Sequence, residues 1–136
     1  MLRRRALLGV AAAFLPAVSA GCNSGSTPDN GAFSVAYSDH RATEVTVQGA
    51  VTVTLPDSPD SGDGVHQRFD VDVAGVRVEI DHNLSLAGRV PVTVGSTLIV
   101  HGQFEPDPGH PIIHYTHHAT GGHEGGWIEL DGTRYD

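Results

Sequence analysis

The chain has 136 residues, a formal net charge of −8, sixteen acids and eight arginines but no lysine, enough for one small domain. Three of the arginines fall in the first five residues, so five face sixteen acids over the rest, which excludes binding nucleic acid by charge. A lone cysteine, Cys22, excludes a disulfide within the chain, so the domain must hold by its core.

The N-terminus reads as an export signal. Arg3, Arg4 and Arg5 form a basic start. The apolar run 6–18 is too short to span a bilayer, and Ser19, Ala20 and Gly21 are small. Cys22 follows directly, which resembles a bacterial lipobox, although Ser19 stands where a leucine is usual. Residues 1–21 are therefore expected to be a lipoprotein-type signal peptide. Cys22 is expected to carry the lipid and hold the exported protein at the cell-envelope membrane; plain cleavage after Ala20 is the alternative. Arg4-Arg5-Ala6-Leu7-Leu8 also resembles a twin-arginine signal, which leaves the export route open.

Residues 22–43 are expected to form the lipidated cysteine and a flexible tether, polar from Asn23 to Asn30. Within them Phe33, Val35 and Tyr37 alternate as on a strand, while Phe33, Ala36 and Tyr37 share a helical face; both readings stay open. From Glu44 the period is two: Val45, Val47, Gly49, Val51, Val53 and Leu55 alternate with polar residues or Ala50. Gly49 marks an expected bulge or bend. Residues 56–64 make an acidic turn in which Asp57, Asp60 and Asp63 do not match the EF-hand spacing and read as solvated. Phe69, Val71 and Val73 then Val76, Val78 and Ile80 are two inward faces joined by a tight turn at Ala74-Gly75. Residues 84–90 are expected to hold one helical turn. Leu98, Val100, Gly102 and Phe104 share a face of a fourth strand, and a fifth begins at 112–116. Trp127 to Leu130 and Arg134-Tyr135 close the domain. The expectation is all-β: a small closed antiparallel barrel over 44–136, OB-fold-like, with at most a short helical turn and with Val47, Val51, Phe69, Val71, Val78, Ile80, Val100 and Phe104 buried.

Five of nine histidines fall between 110 and 123, in a stretch broken by glycine pairs. Imidazole titrates near neutrality and is the commonest metal ligand. His66 begins one strand and His82 ends its antiparallel neighbour, so both lie at the same end of the pair. His66, His82, His114 and His117 are expected to converge on one pocket, with His118 and His123 at the rim and Asn83, Tyr115 and Trp127 in its wall. On a straight strand His114 and His118 share a face about 13 Å apart, and His114 and His117 point to opposite sides. A bend near Thr116 is therefore required. His40, His101 and His110 read as surface or loop residues.

Several segments together resemble a family of bacterial envelope proteins known as domain of unknown function 3465. They are Leu55-Pro56-Asp57, His66-Gln67-Arg68-Phe69, His82-Asn83, Leu86-Ala87, the run from His114 to His118, and His123 with Gly125-Gly126-Trp127. Tyr115, Ser85 and Ala119 depart from the tryptophan, aspartate and acid usual at these places. If those acids are ligands elsewhere in the family, the resemblance implies weaker metal binding here; it implies a domain and candidate residues, not a reaction.

Three function classes follow. The first is an envelope lipoprotein whose pocket binds Zn²⁺, Cu²⁺ or a small polar ligand. The second is a hydrolase using the histidines, with or without metal. The third is an adaptor barrel in which histidines only brace loops. The expected partners are the membrane, through lipid on Cys22, and a small polar ligand, with no nucleic acid.

Overall fold

The computed structural model describes residues 26–136. The signal peptide, the twin-arginine pair and Cys22 lie outside the described residues. Helix α1 (Asn30–Ser38) is followed by strands β1 (Thr43–Leu55), β2 (His66–Val73), β3 (Val76–Asn83), β4 (Thr97–Glu105), β5 (Ile112–His114), β6 (Trp127–Leu130) and β7 (Thr133–Tyr135). Among the described residues no helix is long and apolar enough to cross a membrane.

Strand β1 is long enough to serve two neighbours. Its first part pairs with β4 from Thr43↔Phe104 to Ala50↔Thr97, and its second part pairs with β2 from Ala50↔Asp72 to Leu55↔Arg68. The sheet order β1-β2-β3-β5-β4 then closes back on β1, a five-stranded barrel of OB type. The barrel is mixed rather than wholly antiparallel, because β5 runs parallel to β3. Strands β6 and β7 extend the sheet beyond β4 as a hairpin.

The alternating residues fill the interior as their period requires, and all eight expected core residues are buried. The irregularity expected at Gly49 lies three residues on: the register shifts between Val51 and Val53, leaving Thr52 as the extra residue. Gly49 instead permits a close crossing, since a Cβ there would collide with the Asp72 carbonyl and Val71. Ala74 and Gly75 both take positive φ, as the two-residue β2–β3 hairpin demands. Arg68 lies 3.5 Å from Glu79 and Arg77 3.8 Å from Asp70, diagonal pairs on the outer face.

Two expectations need correction. Residues 84–90 form a turn without a helix, and the helix lies earlier, inside the expected tether. Asp29 caps it by accepting the Ala32 amide at 2.8 Å. Phe33 and Ala36 are fully buried, and Phe33 meets Phe104 edge-on with ring centres 5.1 Å apart. Asn30 fixes the helix to the barrel: its amide donates to the Gln48 carbonyl and accepts the Gln48 N–H, both at 2.9 Å, at a point where β1 has no strand on that side. The packed domain therefore begins near Asp29 rather than at residue 44.

Candidate functional site

The β2–β3 register decides which histidines face outward. His66 stands opposite Asn83, and His82 opposite Gln67. His66 is thus on the outer face, while His82 follows Ile80 inward and is fully buried. His82 Nε2 donates to the Gly88 carbonyl at 2.9 Å, and its Nδ1 accepts the Thr116 hydroxyl at 2.8 Å. Burial pushes its pKa down. A residue of offset separates it from the convergence expected of it.

Strand β5 ends at His114, and Tyr115 takes a positive φ of 54°. The chain turns there, supplying the bend that the spacing of His114 and His117 requires. The loop closes where the Gly126 N–H donates to the His117 carbonyl at 2.7 Å; a Cβ on Gly126 would strike the Tyr115 and His101 carbonyls. The Tyr115 ring sits between two imidazoles, its centre 4.0 Å from His114 and 4.2 Å from His123, nearly parallel to both. His117 meets His123 edge-on at 4.8 Å.

These groups border a cleft of about 510 Å³ on the outer face, whose wall includes His66, Asn83, His114, Tyr115, His117 and His123 together with Asp63 and Asp81. His82, His118 and Trp127 are not in that wall. His118 is exposed. Trp127 packs between His101, at a ring-centre separation of 5.8 Å, and the Arg134 guanidinium, 3.8 Å over its ring.

The hydrogen bonds set the tautomers of three imidazoles. Nδ1 of His66 donates to the Gly64 carbonyl at 3.0 Å, that of His117 to the His118 carbonyl at 2.8 Å, and that of His123 to the Glu124 carbonyl. A carbonyl only accepts, so each neutral ring keeps Nε2 as an acceptor. Burial pushes the pKa of His117 down, and that of His114 too, against the opposing pull of Glu105 3.5 Å away. The Ser61 hydroxyl holds Asp63 below the usual carboxylate range. The wall is therefore rich in acceptors. Among the described residues three buried polar atoms, Glu44 Oε2, Asp81 Oδ1 and His114 Nε2, make no hydrogen bond, although His114 Nε2 lies 3.5 Å from Glu105 and Glu44 Oε2 4.0 Å from His101. Among the described residues no three His, Cys, Asp or Glu side chains stand close enough together to hold one metal ion.

Sequence reasoning passed over two further clusters. His101 is only 12% exposed at its side chain, not a surface residue; its Nδ1 lies 2.8 Å from the Thr46 hydroxyl and its Nε2 3.4 Å from Glu124 and 4.0 Å from Glu44. His110 Nε2 lies 2.9 Å from the buried Glu79 carboxylate. Burial pushes Glu79 upward, and the adjoining Asp81 carboxyl adds to this against Arg68 and His110. The signal available for both was alternation: His101 and Glu79 occupy outer-face positions whose carboxylate neighbours only the register reveals.

No curated protein and no solved structure matches the chain. The family described as protein of unknown function DUF3465 matches residues 17–136, which covers α1, the barrel and the whole cleft, and the chain belongs to that family.

Proposed function

We propose that the chain is an exported, lipid-anchored binding protein whose outer-face cleft captures a small polar ligand rich in hydrogen-bond donors. The observation that carries this reading is the acceptor character of one continuous wall. His66 and His117 present Nε2 lone pairs and Asp63 and Asp81 present carboxylates, while the Nε2 of His123 accepts the Thr120 hydroxyl at 3.3 Å. NMR of the histidine side chains in the full chain tests it, with Zn²⁺, Cu²⁺ and polar organic compounds as titrants. Nε2 signals of His66 and His117 are expected to move while those of buried His82 stay fixed. Shifts confined to exposed His40 and His118 would leave loop bracing as the better account.

A second reading, Zn²⁺ or Cu²⁺, draws on the same tautomers. Metal-binding imidazoles ordinarily donate their other N–H to a carbonyl or carboxylate, as His66, His117 and His123 do. It requires side-chain rotation to bring three ligands onto one ion. Metal analysis of untagged protein, with His117→Gln compared against His40→Gln, separates this reading from the first.

A further inference from the structure

Strand β5 closes the barrel with little pairing. It meets β3 at two register positions, Glu79↔Ile112 and Ile80↔Ile113, and β4 at three. Glu79 fastens the β3–β5 seam twice. Its N–H donates to the Pro111 carbonyl at 3.0 Å, and its carboxylate lies 2.9 Å from His110 Nε2 on the loop that leads into β5. The two side chains differ in their access to water: Glu79 is 6% exposed and His110 58%. A cleft of about 280 Å³, whose wall includes Asp70, Arg77, Glu79 and His110, opens beside them. The imidazole therefore exchanges protons freely with solvent while its carboxylate partner stays buried.

We propose that His110 and Glu79 form a pH-operated clasp on the β3–β5 seam, closed when the imidazole is protonated and loosened when it is neutral. The device stands apart from the binding reading above, although β5 delivers His114 to the cleft wall. With the proton on, an imidazolium meets a carboxylate in a charge-assisted hydrogen bond, roughly twice as strong as a neutral one. With the proton off, the ring donates only as a neutral group. The other charges around Glu79 do not replace it. Arg68 on β2 lies 3.5 Å away and is partly exposed. Asp70, opposite Glu79 on β2, and Asp81, two residues on along β3, repel it, and Arg77 is drawn to Asp70 at 3.8 Å. Burial pushes Glu79 upward, as Asp81 does, so its charge needs a cation beside it. Raising pH charges the acid and discharges the imidazole, and both changes loosen the seam.

Amide exchange of the full chain in detergent, followed by NMR at pH 6.0 and 8.0 and corrected for the intrinsic exchange rate, reads the clasp at the Glu79 N–H. Protection there is expected to fall by about fivefold from the lower to the higher pH, as loss of charge assistance in one hydrogen bond predicts. Amides within the β2–β3 ladder are expected to hold steady. His110→Gln keeps a donor that is uncharged at both pH values, and is expected to give the lower protection at both. His110→Lys, charged at both, is expected to give the higher. The position is exposed, so neither variant threatens the fold. His114 faces Glu105 at 3.5 Å on the β4 side of the same strand and is the rival source of a pH effect. A dependence that survives His110→Gln, or that His114→Gln alone removes, would overturn the proposal; so would equal protection of wild type at both pH values.

Discussion

At the scale of single residues, His82 and His66 show how one step of register separates a structural imidazole from a cleft imidazole. His82 spends both ring nitrogens inside the fold, on Gly88 and Thr116. His82→Ala is expected to cost roughly 2–4 kcal/mol in urea unfolding, from the lost volume and the Thr116 hydroxyl left unpaired. The same burial predicts acid sensitivity. The folded pKa of His82 lies below its ordinary value of 6.5, so as pH falls through 6.5 the unfolded chain takes the proton first. The contribution is complete above 6.5 and lost as pH drops toward the folded value; His114 and His117 add to it with the same sign. Melting curves at pH 7.5 and 5.5 are expected to show a smaller difference for His82→Ala than for wild type. Glu79 acts in the opposite direction. Its folded pKa is raised, so its contribution is present below the ordinary value of 4.5 and is lost as pH rises through the folded value. Glu79→Gln stays neutral and is expected to raise the melting temperature at pH 8; an unchanged or lower value would mean that Arg68 and His110 outweigh the burial.

Among the elements, α1 carries the largest departure from expectation. Phe33 closes the barrel interior against Phe104, so Phe33→Ala is expected to destabilise by roughly 3–5 kcal/mol, where a tether residue would cost almost nothing. Chemical unfolding of the single variant reads this directly. The alternation in β1 to β4 was legible because a half-buried strand writes its inner face into every second residue, and Ala74-Gly75 located the hairpin. The helix was not, because Phe33 and Tyr37 fit both a period of two and a helical face over so short a segment. The end of β5 was hidden for a different reason. Ile112, Ile113, Tyr115 and Thr116 all favour a strand, yet Tyr115 turns out of it as Gly126 lets the returning loop approach the Tyr115 carbonyl. Candidate cleft residues were legible as types and as strand ends, but facing depends on pairing register, which placed Asn83 rather than His82 beside His66.

For the whole molecule, the position of α1 changes how the domain would stand at a membrane. The chain is already fastened at Asp29, whose N–H donates to the Thr46 carbonyl at 2.8 Å. Only residues 23–28 then separate Cys22 from the folded body, a reach of at most about 20 Å for six extended residues. A lipid on Cys22 would therefore keep the barrel close to the bilayer surface. Cys22→Ser is expected to abolish labelling of the protein by a clickable palmitate in cells and to move it from the membrane to the soluble fraction. Equal labelling of wild type and Cys22→Ser would instead place cleavage at Ala20 and release the domain free.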